Sequence, residues 1–496
     1  MSLVDVLRQK DAYTENGAIT NSTSLNPCLD LFFLAGACRQ ESEQNIQNKL
    51  VSSYACDPLK TLKIIFWAGD IREGAGERRF FKLALSWLAK EHIKDLHQNM
   101  ALVPEFSRWS SLFEVALTDD NVLNYIVSVL LDEKAKGHSL LCKWLPRQGS
   151  VVDVKKSSKK WGFSTTTTET RKPRKLYGGL ANKIRKVAKL SPKEYRKILV
   201  KGTSVVENLM CSNQWDKIDY SKVPSVAMNK YNKAWYRRGG DKFAQYLQSL
   251  QKGETKINAG AIFPHDIIKN VFSSSYWGAD ELNEAQIAQW NALPNYLGEE
   301  EHSILPVCDV SGSMYGVPIT VSVGLGLYLS ERNKGAFKDA FITFSSRPQL
   351  EYLKGDINRR IKQLSDADWG GNTNITAVFE LILRRGLEEK VPQEDMPNTV
   401  LIISDMEFDC CGQMTNFEHI KAQYIKAGYE IPNIVFWNVN GRSGNVPVRV
   451  NDKGVALVSG ASPSIVRGVL ADDLNPVKVM NTVIEADRYS IIKIGG

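Results

Sequence analysis

No stretch of this 496-residue chain approaches the length of an apolar membrane span, so no membrane association is expected. Its first eight residues lack a basic segment followed by an apolar one, so no secretory leader is expected either. Cysteine is sparse. Cys28, Cys38, Cys56, Cys142, Cys211, Cys308, Cys410 and Cys411 are scattered, with no Cys-x-x-Cys pair and no histidine at zinc spacing. Buried free thiols in a reducing cytoplasm are the expectation, and the vicinal Cys410–Cys411 suggests no mechanism. Also missing are the Gly-x-x-x-x-Gly-Lys-Ser/Thr phosphate loop, the His-Glu-x-x-His zinc helix and the Gly-x-Ser-x-Gly nucleophile elbow. Three large enzyme classes go with them. No strict internal repeat period is present.

What is present is ordinary in bulk and uneven in charge. An apolar share of 43% and a charged share of 24% are usual for a globular protein. The length implies two or three domains. Residues 301–496 hold 20 Lys+Arg against 23 Asp+Glu, and residues 1–300 hold 43 against 32. Between residues 155 and 201 there are 16 Lys+Arg, opposed only by Glu169 and Glu194. A concentrated basic stretch on an otherwise acidic chain is an electrostatic footprint for a polyanion.

The basic stretch has two halves. Lys155, Lys156, Lys159, Lys160, Arg171, Lys172, Arg174 and Lys175 stand among few large apolar residues beyond Trp161 and Phe163. A loop over about residues 151–178 is therefore expected. Further on, Leu180, Ile184, Val187, Ala188, Tyr195, Ile198 and Leu199 recur at helical spacing. Ser191-Pro192-Lys193-Glu194 reads as a helix cap with a first-turn proline. Lys183, Arg185, Lys186, Lys189, Lys193, Arg196 and Lys197 would then line the outer faces of two helices. A solvated helical face is the bland alternative. A membrane-surface role is disfavoured, because the apolar faces are needed for packing.

The rest of the first 300 residues reads mainly as helix, over 26–38, 57–67, 78–88, 112–117, 122–131, 243–250 and 262–271. Short Pro- or Gly-bearing connections suggest an irregular solenoid or bundle. Arg72, Arg78 and Arg79 surround the Gly74/Gly76 turn. They could grip phosphates, but an interhelical turn fixed by Arg–Glu pairs is the preferred reading. His138 and His265 stand alone and read as structural. Trp215, Tyr231, Trp235 and Tyr236 alternate with lysines and arginines. Such aromatics stack bases in some single-strand binders, but more often they are core.

From residue 300 the pattern changes to short apolar runs alternating with helical stretches. Strands are expected at 304–308, 340–345, 349–353, 400–404, 434–438 and 455–458. Helices are expected at 317–330, 357–364, 375–385, 419–427 and 464–470. This alternation argues for a parallel-rich, doubly wound sheet. Asp309-Val310-Ser311-Gly312-Ser313 leaves the first strand. One carboxylate and two hydroxyls at alternate positions of a strand-exit loop can face a single point, which suits a hard cation such as Mg²⁺. Thr373 and Asp405 supply further oxygens, Asp405 at the end of another strand. Asp309 and Asp405 would both lie at carboxyl ends of strands, where such sheets bind ligands.

Asp309-x-Ser311-x-Ser313, the later Thr373 and the strand-closing Asp405 resemble the metal-ion-dependent adhesion site of von Willebrand factor A domains. The resemblance implies a bound Mg²⁺, or Mn²⁺ or Ca²⁺, on Asp309, Ser311, Ser313, Thr373 and Asp405. A basic helical part ahead of such a domain resembles the Ro autoantigen, or TROVE, architecture, which implies a helical ring that binds small or misfolded RNAs. Asp57-Pro-Leu-Lys, Asp70-Ile-Arg-Glu-Gly-Ala-Gly-Glu-Arg, Val103-Pro-Glu-Phe-Ser-Arg-Trp and Asp309-Val-Ser-Gly-Ser-Met also look like a domain-of-unknown-function family of plants, microbes and large DNA viruses.

The expected fold is α plus α/β. Residues 1–300 would form an α-helical, HEAT-like irregular solenoid, and residues 301–496 a doubly wound, Rossmann-like von Willebrand factor A domain. The expected function is noncatalytic RNA binding, in the cytoplasm. Nucleic-acid contacts would come from Lys155, Lys156, Lys159, Lys160, Arg171, Lys172, Arg174, Lys175, Lys183, Arg185, Lys186, Lys189, Arg196 and Lys197. The alternative is a protein–protein adaptor whose metal captures an acidic partner side chain. Metal-dependent phosphodiester hydrolysis through Asp309, Asp405 and Asp409 is a minor alternative, since two-metal chemistry needs more carboxylates.

Overall fold

Capping residues written into the sequence fix where most helices begin. The computed structural model describes residues 12–136, 140–147, 174–272, 281–344, 347–367, 372–411, 414–470 and 474–496. Asn26 accepts from the backbone N–H of Cys28 and Leu29 and opens helix α1 (Pro27–Ala35). Ser42 opens α2 (Glu43–Cys56), and Asp57 accepts from the Lys60 N–H and opens α3 (Pro58–Gly69). Proline stands at the first position of α1 and α3, where no amide hydrogen is needed. Helix α4 (Arg174–Val187) precedes α5 (Pro192–Gly202), whose start is a reciprocal capping box of Ser191 and Glu194. The other helices used below are α6 (Pro264–Phe272), α7 (Val317–Arg332), α8 (Ile375–Glu388), α9 (Asn416–Ala427) and α10 (Pro476–Ile484).

By packing, the chain forms two compact units. One comprises the described residues of Met1–Ala84 and Asp219–Ile494; the other comprises those of Leu85–Ile218 with Gly495–Gly496. This partition cuts across a linear division at residue 300.

The first unit is built on a six-stranded sheet. Its strands are β3 (Ile304–Cys308), β4 (Ala340–Thr343), β5 (Leu350–Tyr352), β6 (Thr399–Ser404), β7 (Asn433–Asn438) and β8 (Val455–Ser459). A separate hairpin, β1 (Ala12–Tyr13) with β2 (Ile19–Thr20), precedes them. Sheet order is β5-β4-β3-β6-β7-β8, parallel throughout except for β4 with β5. Counted along the chain, this is the doubly wound order 3-2-1-4-5-6. The order reverses between β3 and β6, which opens a crevice at their carboxyl ends.

Strands β3 and β4 are buried along their whole length, as an apolar run in a doubly covered sheet requires. Helix α7 is buried from Pro318 through Ser330 and packs on β3, β4 and β6. It also crosses α6 closely: a Cβ at Gly324 would lie 2.9 Å from the His265 backbone nitrogen. Helix α1 closes the far side of the sheet against β8, where Ser459 Oγ donates to Phe32 O at 2.7 Å. At the end of α3, Asp70 accepts from Arg488 and Tyr489 near the C-terminus. Residues 12–84 thus belong to the same unit as the sheet.

In the second unit, α4 and α5 pack beside the helix Asp120–Lys136. Leu180, Ile184, Ala188, Tyr195 and Leu199 are buried as their spacing predicts, and Tyr195 donates its hydroxyl to Pro146 O at 3.0 Å. Val187 departs from the pattern and is exposed. Residues 112–117 were expected as helix, but only 3-10 turns Trp109–Ser111 and Val115–Leu117 form. The segment 464–470 likewise yields one 3-10 turn, Pro463–Ile465, and a four-residue helix, Val466–Val469. Both stretches are too short to repay helix nucleation without a longer apolar face. Among the described residues no helix is long and apolar enough to cross a membrane.

Candidate metal centre and basic face

The crevice between β3 and β6 gathers most of the oxygen ligands expected from the sequence. Cys308 pairs with Ile403, so Asp309 and Ser404 leave the sheet side by side. Asp309 N–H donates to Ile403 O at 3.1 Å, which fixes the backbone at the exit of β3. The carboxylate is then held from two sides. Its Oδ1 accepts from Ser311 N–H at 2.9 Å and its Oδ2 from Ser404 Oγ at 2.5 Å. Ser311 Oγ and Ser313 Oγ are 3.1 Å apart. Asp405 follows β6 directly and is 1% exposed; its Oδ1 accepts from Glu407 N–H at 3.3 Å. Its Oδ2 is buried and has no hydrogen-bond partner among the described residues.

The electrostatics follow from this burial. Desolvation, then the neighbouring Asp405 charge, pushes the Asp309 carboxyl up to about 6, against the opposing bonds from Ser404 and Ser311. Burial also raises Asp405, opposed by the nearby Ser313 hydroxyl. Glu407 is pushed up to about 7 by burial, with Asp405 adding to the rise and the Asn445 side chain opposing it. Among the described residues no lysine or arginine pairs with Asp309 or Asp405. Two adjacent buried carboxylates without a cation are costly, and an orphaned carboxylate oxygen more so.

Thr373 stands somewhat apart. Its Oγ1 donates to Glu407 O at 2.6 Å, with Asp409 Oδ1 at 3.0 Å, and accepts from Asn16 Nδ2 at 2.9 Å. It is therefore bonded to the loop that follows Asp405. The structure brings together Asp309, Ser311, Ser313 and Asp405, and ties Thr373 to them through that loop. Among the described residues no group of three or more His, Cys, Asp or Glu is placed to hold a metal. A centre here would consist of two carboxylates and hydroxyls. Sequence reading overlooked Ser404, Glu407 and Asn16. Ser404 was findable as the strand end facing Asp309 across the register, whereas Asn16 carries no local signal.

The basic residues that are described lie in the second unit. As a sequence span, residues 85–218 hold 24 Lys+Arg against 13 Asp+Glu, a net of +11, while the remainder of the chain is at −3. Lys155, Lys156, Lys159, Lys160, Arg171 and Lys172 fall outside the described residues. Arg174 and Lys175 lie in the first turn of α4. Lys186, Lys189, Lys193, Arg196, Lys197 and Lys201 are exposed along α4, α5 and their connection. Among the described residues no carboxylate pairs with Arg196, Lys197 or Lys201, which with Val200 line a shallow depression of about 400 Å³. Two expected contacts have local work instead. Arg185 Nη1 donates to Leu190 O at 3.0 Å, closing the end of its own helix, and Lys183 Nζ donates to Leu117 O at 2.6 Å. In the first unit, Trp235 is core: it is 0% exposed and donates Nε1–H to Met228 O. At the Gly74/Gly76 turn, Glu77 pairs with Arg39 Nε at 3.1 Å, and Arg79 Nη1 donates to Cys38 O at 3.0 Å.

Comparison with known proteins bears on both halves of the sequence. A family model described as Domain of unknown function (DUF7788) matches residues 303–488. A protein of Acanthamoeba polyphaga mimivirus, Uncharacterized protein L728, is 29% identical over 513 residues, spanning 96% of this chain and 87% of its own length. The crystal structure of Deinococcus radiodurans RO (RSR) protein aligns with 94% of this chain and 100% of that chain at 14% identity. Its TM-score of 0.35 is too low to carry the fold. A second family model matches residues 14–108 and 106–301, more than half of the sequence. The chain belongs to the family that this model describes, Domain of unknown function (DUF2828).

Proposed function

We propose that this chain is a noncatalytic RNA-binding protein, with a polyanion-binding unit at residues 85–218 and a Mg²⁺-binding von Willebrand factor A-type domain on the sheet. The observation that carries the first part is the charge: +11 on residues 85–218 and −3 on the rest of the sequence. Lysine and arginine that neutralise phosphates release condensed counterions, and this drives sequence-independent binding. Arg196, Lys197 and Lys201 are the best-placed cations, since they are exposed and no described carboxylate competes for them. The choice of RNA follows the order of parts, basic helices ahead of an A-type domain, which resembles that of the TROVE proteins.

The test is binding of a labelled structured RNA to the full chain across a salt series, read by fluorescence anisotropy. Affinity should fall steeply with salt. Changing Arg196, Lys197 and Lys201 to Gln should lower the log–log salt slope by about 2–3 if each meets one phosphate. No binding at low salt, or an unchanged slope in the triple variant, refutes the proposal.

For the metal, the donor set fits. Asp309 and Asp405 supply charge, Ser311 and Ser313 supply hydroxyl oxygens, and the orphaned Asp405 Oδ2 is an unused ligand atom. All are hard oxygen donors, suited to Mg²⁺, with Mn²⁺ or Ca²⁺ as substitutes. Thr373 would complete the set. The cation would supply positive charge that offsets two desolvated carboxylates and leave a coordination position for an acidic group.

A second reading, a protein–protein adaptor, is favoured by the side chains next to the Asp309 loop. Tyr315 is 86% exposed and Val317 is 49% exposed, an unusual apolar display at a loop tip. Under that reading Asp309→Ala abolishes capture of a partner and leaves RNA affinity unchanged. Loss of RNA affinity in Asp309→Ala would count against it.

A further inference from the structure

The turn of the N-terminal hairpin reaches the loops at the carboxyl edge of the sheet. Asn16 sits at its exposed tip, yet both carboxamide hydrogens are committed. One goes to Thr373 Oγ1 at 2.9 Å and the other to Glu407 O at 2.7 Å. Three other contacts dock the hairpin without Asn16. Thr14 Oγ1 donates to Phe408 O at 2.7 Å, Glu15 N–H donates to Glu407 Oε2 at 2.6 Å, and Gly17 forms an antiparallel bridge with Asp409. Three contacts thus dock the hairpin without Asn16, whose carboxamide bridges Thr373 Oγ1 and Glu407 O.

A hydroxyl has one hydrogen and two acceptor lone pairs. The Thr373 hydrogen has two acceptors in reach, Glu407 O at 2.6 Å and Asp409 Oδ1 at 3.0 Å, and a lone pair takes a hydrogen of Asn16. One lone pair remains. A ligating hydroxyl must turn its hydrogen away from the cation and present a lone pair, and these partners restrict the orientations in which it can do so. Groups that orient a ligand from outside the coordination shell typically matter about 10–100-fold in metal affinity.

We propose that Asn16, on the N-terminal hairpin, is a positioning residue for the divalent-cation centre: it fixes the Thr373 hydroxyl so that its last lone pair serves the cation. This rests on the Mg²⁺ reading given above. Hairpin docking and cation binding are then coupled, each favouring the other by the same factor. A segment some 360 residues away in sequence becomes part of the site.

The test is calorimetric titration of the full chain with Mg²⁺ alone, then Mn²⁺ alone, using wild type, Asn16→Ala, Thr373→Ala and the double variant. Melting of each protein without cation controls for folding. Asn16→Leu, nearly isosteric and without donor hydrogens, is the second variant. Asn16→Ala and Asn16→Leu should each bind the cation about 10–100-fold more weakly than wild type. Asn16→Ala should cost nothing further in the Thr373→Ala background, because it acts through that hydroxyl. A residue that merely stabilised the hairpin would give additive losses, and that result overturns the inference. Wild-type affinity in Asn16→Ala, or no effect of Thr373→Ala, overturns it as well. If wild type binds neither ion, the metal reading itself falls, a result distinct from the others.

Discussion

Removing the Asp70 carboxylate should unlatch the C-terminus from α3. Asp70 is 0% exposed. Its oxygens accept from Arg488 Nε at 2.5 Å and Nη2 at 2.9 Å, from the Tyr489 hydroxyl at 3.1 Å and from Arg72 N–H at 3.0 Å. In Asp70→Ala a guanidinium whose side chain is only 20% exposed, and a buried phenol, lose their acceptor together. Breaking a buried pair from one side costs about 3–5 kcal/mol. The partial exposure of Arg488 places this case near the lower end, at about 3 kcal/mol. Asp70→Asn keeps the shape and one acceptor, so about 2 kcal/mol is expected. Asp70→Asn with Arg488→Met should recover part of the loss, since no charge is then left buried. Urea unfolding of the full chain gives the overall effect, and amide exchange over residues 485–492 gives the local one, because a two-unit chain need not unfold in one step. If Asp70→Ala lies within about 0.5 kcal/mol of wild type and exchange there is unchanged, the latch is not a structural determinant.

Three further outcomes are expected. His265 is held neutral, its value lowered to about 4 chiefly by burial, with Arg39 and Lys269 adding to the effect and Asp266 opposing it. Below about 6.5 the unfolded chain takes up a proton there that the folded chain refuses. Stability therefore falls as pH drops from about 6.5 to about 4, by about 3 kcal/mol, and the difference between wild type and His265→Gln across that window isolates it. Gly324→Ala places a methyl 2.9 Å from the His265 backbone nitrogen. Overpacking of about 1–3 kcal/mol should outweigh the roughly 1 kcal/mol gained in helix propensity, so thermal melting should come earlier, and a raised melting point refutes the close crossing. Ser191→Ala removes the capping box of α5 and should cost about 1 kcal/mol, seen as faster exchange in the first turn of that helix.

Local chemistry made much of the first layer legible. Ser191 announced its helix because a short polar side chain ahead of a first-turn proline satisfies an orphan amide three residues on. The sheet strands were legible as apolar runs, and their alternation with helices fixed the parallel-rich sheet. The hairpin at residues 12–20 escaped because its strands are two residues each and its partners lie in loops more than 350 residues away. Helix α10 escaped as well, although its buried Val479, Met480 and Ile484 lie on one face. Residues 112–117 had the apolar content of a helix without the length to hold one.

The sequence by itself determined the composition of the candidate site: Asp309, Ser311, Ser313 and Asp405 follow two strands in an order that a doubly wound sheet must bring to one crevice. It also determined the concentration of positive charge, which is a property of the chain before it folds. Tertiary structure alone decided which cations remain available, since Arg185 and Lys183 are spent on carbonyls of neighbouring turns while Arg196, Lys197 and Lys201 are exposed. It alone decided that residues 12–84 close the sheet, through Phe32 on Ser459 and Asp70 on Arg488, and that Asn16 reaches Thr373. Such contacts depend on register and packing across hundreds of residues, and no local pattern of side chains encodes a partner at that distance.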